Sequence, residues 1–183
     1  MIDTPDRDQQ SNDVASTSPD DPDRVAARAV HMMGRDAEGA WSHDNALAWE
    51  GMLELSRRLR RQAEDMLTRE EDLSVSMLGI LGRLLRADDL TLRPTALAAA
   101  TGLSISRVSR IIGMLEHRGM VVCTACPTDA RATDIMLTAR GRERTEQAQH
   151  RLFALVQDAF AARLAPEEIA TLARVFGRLL ARP

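Results

Sequence analysis

The spacing of apolar residues divides the chain into helical stretches with one extended interruption. From Arg24 to Arg35, Val25, Ala29 and Met32 or Met33 recur at helical spacing and predict a short helix ending around Gly34. A long helix is predicted from about Asp44 to Thr68. Leu47, Leu55, Leu59, Ala63 and Met66 share one of its faces, and Arg57, Arg58, Arg60 and Arg61 lie elsewhere. After Asp72, LSVSMLGILGRLLRA is apolar almost all round, the pattern of a helix inside a core. DDLTLRP reads as a connector, with Pro94 suited to the first turn of the next helix and Leu97 to its buried side. Extended character from Met120 to Cys126 and from Asp134 to Leu137 predicts a hairpin with its turn at Pro127 to Ala132, the one sheet the pattern supports. Thr138 is placed to cap a long helix striped by Leu152, Leu155, Val156, Ala159 and Phe160. A last helix begins at Pro166, with Glu167 and Glu168 in its positive first turn, and carries Ile169, Leu172, Val175, Phe176 and Leu179.

Within LAAATGLSISRVSRIIGMLEHRGM the pattern becomes more specific. Small Ala98 lets two helices approach, Gly102 permits a sharp turn, and Leu103, Val108 and Ile111 or Ile112 fill the angle between them, which is the pattern of a helix-turn-helix. Ser104 is placed to cap the second helix and Gly119 to end it. With Ile105, Val108, Ile112 and Leu115 facing inward, Ser106, Arg107, Ser109 and Arg110 face outward. Arginine forks reach guanine edges or phosphates, and serines keep the helix slim enough for a major groove about 12 Å wide. An ordinary amphipathic helix with a solvated Ser/Arg face would look the same. The hairpin that follows at once separates the two readings, because a helix-turn-helix followed by a two-stranded wing is a DNA-binding arrangement. Its tip holds Asp129 and Arg131, and the carboxylate can hold the guanidinium extended toward a narrow, electronegative minor groove.

Charge agrees with that placement. The net charge is -3 over 183 residues, but Thr91 to Arg144 holds eight arginines against four acids, and Met1 to Ala40 four against nine. Only the middle of the chain carries the basic excess expected of a nucleic-acid footprint. All 24 basic residues are arginine. Residues 1–22, rich in Asp, Ser, Pro, Gln and Asn, are expected to be a disordered acidic tail. No apolar run reaches the roughly 18 residues of a membrane span, and the start of the chain lacks the features of a secretory signal, so a cytoplasmic protein without membrane association is expected.

The sequence resembles the MarR family of bacterial winged helix-turn-helix transcription regulators from roughly Ala48 to Arg182. The resemblance rests on LAAATGLSISRVSRIIGMLEHRGMV as the helix-turn-helix, on CPTDARATDIMLTARG as the wing and the start of the next helix, and on the order of helices. It implies a mainly α protein with a small β-hairpin wing. Residues 23–72 and 141–183 would be dimerisation helices, and residues 73–140 the DNA-binding lobe. It makes Arg131 the minor-groove reader supported by Asp129, and puts Ser104, Ser106, Arg107, Ser109 and Arg110 on the major-groove side. Many relatives have a second arginine where this chain has Ala130, which lowers the expected phosphate contribution. The resemblance further implies a homodimer on a pseudo-palindromic double-stranded operator, a repressor released by a small aromatic or anionic effector. Trp49, Met52, Met77, Ile80 and Met114 are the effector-binding candidates by position, against plain core packing for each.

Other signals are weaker. Cys123-Thr124-Ala125-Cys126 has the spacing of a redox pair or half a metal site. On a strand, however, positions i and i+3 point to opposite faces, and no second pair completes a zinc site. A thiol-based redox regulator therefore stands as an alternative, as does a winged-helix protein-interaction adaptor. His31, His43, His117 and His150 are scattered and suggest no shared site. No Ser/His/Asp order, Gly-rich phosphate loop or paired-carboxylate pattern supports an enzyme, and no metal or cofactor is expected.

Overall fold

A computed structural model describes residues 21–33, 41–126 and 129–181, apart from the side chains of residues 30, 32–33 and 125–132. The elements are α1 (Pro22–Met33), α2 (His43–Glu71), α3 (Val75–Arg86), β1 (Thr91–Leu92), α4 (Pro94–Thr101), α5 (Ile105–His117), β2 (Val121–Cys126), β3 (Asp129–Leu137), α6 (Ala139–Ala159) and α7 (Pro166–Leu180). A 3-10 turn at Ala161–Arg163 precedes α7. The expected acidic tail before residue 21 and the predicted helix end at Gly34 lie outside the described residues.

Two compact units divide within α2, after Arg57. In the first, Ala26 and Ala29 of α1 pack against Ala46 of α2, with Trp41 and Leu47 alongside. Small side chains allow this close helix approach, and ion pairs of Arg57 with Glu50 (2.7 Å) and Glu54 (3.4 Å) run along α2.

The second unit has a single apolar core. Met66 and Leu67 from α2, Met77, Leu78, Ile80, Leu81 and Leu84 from α3, Leu97 from α4, and Val108, Ile111, Ile112 and Leu115 from α5 meet there with Val121, Ile135 and Leu137 of the sheet. The all-round apolar pattern of α3 thus places it at the centre, where five of its side chains are buried. Its start is fixed by Ser74, whose hydroxyl accepts from the Met77 N–H at 3.1 Å.

The sheet is larger than the sequence pattern indicated. A third strand, β1, pairs antiparallel with β3 through Thr91↔Met136 and Leu92↔Ile135, in the stretch read from sequence as a connector. Two residues are too few for an alternating pattern to show. The hairpin also extends farther than predicted. β3 begins at Asp129, opposite Cys126, so its strands run on to residues 126 and 129 and leave only 127–128 between them. The pairing is regular from Val121↔Leu137 to Ala125↔Thr133 and then shifts, which places residues 130–132 of β3 between consecutive pairs that have no intervening residue on β2.

Candidate nucleic-acid interface

The recognition helix α5 is set by its two ends. Ser104 caps it by accepting the Arg107 N–H at 3.3 Å. At the far end Gly119 takes φ +67, the Gly119 N–H bonds the Glu116 carbonyl (2.8 Å), and the Met120 N–H bonds the Leu115 carbonyl (2.9 Å). The turn before α5 depends likewise on Gly102 at φ +70. Val108, Ile111, Ile112 and Leu115 are buried. Ser106, Arg107, Ser109 and Arg110 are exposed on the other side, as the helical spacing required. Ile105 departs from the expectation. It is 55% exposed rather than inward, because it opens the helix next to the capping residue and projects from its end beyond the core.

Several contacts hold the wing and the flanking helices to α5. The Cys123 N–H donates to Glu116 Oε1 at 3.0 Å, joining the wing to the recognition helix. Arg93, just before α4, lies 3.7 Å from Asp134 of β3. Arg118, immediately after α5, bonds the backbone carbonyl of Asp72 and its carboxylate (3.2 Å), fixing the α2–α3 corner where Asp72 adopts φ +52. Beside it, the buried Glu71 carboxylate meets Arg144 (3.1 Å) and Arg151 (2.7 Å) of α6. The sequence reading missed this network, whose partners lie 46 and 73 positions apart. Thr138 completes the frame. Its hydroxyl accepts from the Gly141 N–H at 2.9 Å and donates toward the Gly119 carbonyl at 2.8 Å, so the residue that starts α6 also anchors the end of the recognition helix.

A cavity of about 430 Å³ opens along the exposed face of α5, lined by Ser74, Ser76, Ser104, Ser106, Arg107, Arg110 and Met114. The Arg107 guanidinium donates to Ser76 Oγ at 3.4 Å across it. Six of the lining residues are hydroxyl-bearing or arginine side chains in or beside the first turns of α3 and α5, and none is acidic. This is a surface for a polyanion.

Asp129 and Arg131 both lie on β3, but the side-chain contact expected between them falls outside the described residues. Of the five effector candidates, three lie in the second unit. Met77 and Ile80 belong to the core, where their packing accounts for them, and Met114 is partly exposed beside Arg110. Trp49 and Met52 are exposed on α2 in the first unit. Desolvation, and then the hydrogen-bonded and charged Glu116, push the Cys123 thiol up to about 11. The thiolate needed for redox chemistry is therefore scarce at neutral pH. Cys126 as its partner lies outside the described side chains. Cys123 in folded protein should alkylate with iodoacetamide at pH 8 about 10-fold more slowly than an ordinary thiol, accelerating until pH reaches about 11. Peptide mass spectrometry after timed labelling measures it, and labelling as fast as in urea would contradict the shift. Among the described residues, no group of three or more His, Cys, Asp or Glu side chains is placed to hold a metal ion, and no helix is long and apolar enough to cross a membrane.

A helix-turn-helix backed by a three-stranded wing, with a basic hydroxyl-rich face, defines a winged helix-turn-helix protein. The sequence pattern of the MarR family matches residues 71–132, the span from the α2–α3 corner into the wing. Two solved structures from Streptomyces coelicolor share the fold with a TM-score of 0.69 each. Sco3205, a MarR family transcriptional regulator in complex with DNA, is 26% identical, over 76% of this chain and 87% of that one. AbsC, another MarR family transcriptional regulator, is 29% identical, over 76% and 93%. A protein assigned to transcriptional regulation of the hcr operon in Thauera aromatica is 29% identical over 119 residues, 65% of this chain and 70% of that protein. The chain is similar in sequence and fold to transcriptional regulators of the MarR family.

Proposed function

We propose that the protein is a cytoplasmic repressor that binds double-stranded DNA as a homodimer at a pseudo-palindromic operator and is released by a small effector. The observation that carries this reading is the exposed Ser106, Arg107, Ser109 and Arg110 face of α5, capped at both ends and framed by the wing. Arg107 and Arg110 bond guanine edges or phosphates, the serines bond either base or backbone, and exposed Ile105 suits a thymine methyl at the groove floor. Arg131, supported by Asp129, enters the adjacent minor groove, with Ala130 contributing no charge. The complex of Sco3205 with DNA supports DNA binding by this fold.

Dimerisation is supported by α7, which buries none of its residues within one protomer and leaves Leu179 71% exposed and Ile169 and Phe176 uncovered on the same stripe. A two-fold arrangement covers such a stripe and sets two recognition helices about one DNA turn apart. For the effector, a groove of about 570 Å³ between α3 and α6 fits better than the five candidates read from sequence. Leu78, Leu152, Phe153 and Val156 form its apolar wall, and Arg86 adds a cation for an aromatic acid.

Selecting bound fragments from the host genome and sedimenting the complexes tests this directly. The expected result is enrichment of inverted repeats bound by two protomers. Enrichment of no sequence would leave the interaction-adaptor reading in its place.

A further inference from the structure

We propose that Arg60 and Arg83, with Ser76, form a second phosphate-binding cleft beside the recognition helix, one that grips the DNA backbone outside the bases α5 reads. The proposal rests on the DNA-binding function above and adds residues to it. The cleft measures about 270 Å³ and lies where α2, α3 and α4 meet, with Arg60 on α2, Ser76, Gly79 and Arg83 on α3, and Thr101 on α4 among its lining residues. On α3, Ser76, Gly79 and Arg83 follow at helical spacing along one exposed stripe, and Gly79 leaves the floor open, since a Cβ there would meet nothing within 4 Å.

Three observations point to an anion in this place. First, the cleft is lined by two arginines and no carboxylate. Second, neither arginine has an ion pair or hydrogen bond among the described residues, whereas Arg57, Arg118, Arg144 and Arg151 each face a carboxylate. Two uncompensated guanidiniums from different helices repel each other, and a shared phosphate removes that repulsion while accepting from both planar forks. Third, Val75 and Ser76 of the first turn of α3, its positive end, line the same cleft.

A phosphate on a free small molecule would satisfy the same donors. Continuity selects the DNA backbone. Ser76 lines both this cleft and the cavity formed by Ser104, Ser106, Arg107 and Arg110, and its hydroxyl accepts from Arg107 at 3.4 Å. A strand passing the start of α5 reaches Arg60 and Arg83 next. The cleft reads no base, so it adds affinity and salt dependence without adding sequence preference.

The test is the slope of log affinity against log salt concentration, measured by fluorescence anisotropy with the full chain on a selected genomic fragment and on a scrambled one. In the Arg60→Ala/Arg83→Ala variant the slope should flatten by about 1.8 for each bound subunit, and affinity should fall by the same factor on both DNAs. Arg60→Lys/Arg83→Lys should restore most of the slope. Arg174→Ala, which removes one charge from α7, should leave it unchanged. Wild-type binding with an unaltered slope in the alanine variant would overturn the assignment. So would a cleft that binds only a free anion, detected as thermal stabilisation by pyrophosphate in the wild type and not in the variant, with DNA binding equal in both. If the wild type itself shows no salt-dependent binding, the DNA-binding function fails and the cleft falls with it.

Discussion

Replacing Gly141 by alanine is expected to destabilise the protein by about 3 kcal/mol, lowering Tm by roughly 6–12 °C. Gly141 stands in the first turn of α6, and a Cβ built there falls onto the Met120 carbonyl and within 2.8 Å of Leu137 Cδ1. The clash is with backbone, so no rotamer change relieves it. That carbonyl also accepts the Thr138 N–H at 3.1 Å, and displacing it disturbs the junction where α5, β3 and α6 meet. Because the same junction orients the recognition helix, DNA affinity should fall along with stability. Urea unfolding followed by circular dichroism measures the first effect. An unchanged midpoint would show that the three elements are not locked together as described.

The second large effect is on recognition. Arg107→Ala/Arg110→Ala should weaken binding to the selected operator by at least about 30-fold, at roughly 1–3 kcal/mol per lost base contact. The preference for operator over scrambled DNA should shrink with it. Both side chains are exposed, and Arg107 makes only a long hydrogen bond to Ser76, so the fold should persist. Arg131→Ala should instead weaken binding to all sequences more evenly, since the minor groove carries a degenerate pattern. Competition binding with the two DNAs separates these outcomes. A double variant that kept its operator preference would displace α5 as the reader.

Which parts were legible in the sequence follows from the distance over which each feature acts. Ser104, Gly119 and Thr138 were readable because capping is decided within four or five residues, and the structure places each as the local chemistry required. The inward set of α5 was readable apart from Ile105, since helical period does not reveal where a core stops at a helix end. Strand β1 was hidden because Thr91 and Leu92 are too short a run to alternate, and their partner Met136 is far along the chain. The Glu71, Asp72, Arg118, Arg144 and Arg151 network was hidden for the same reason. Arg60 lies off the apolar face of its helix and nothing in the local pattern singles out Arg83; only folding brings them to one cleft. Two of the effector candidates lie in the core. Met77 and Ile80 are apolar enough to line a pocket, and for that reason the core takes them.

The measurement closest to the central claim is a titration of the wild-type chain against its selected genomic fragment at 50 and at 200 mM salt. An interface of six to ten phosphate contacts predicts an affinity loss of roughly 10³ to 10⁵ between the two, with operator preferred over scrambled DNA at both. Binding that ignored salt, or no binding at either concentration, would contradict it.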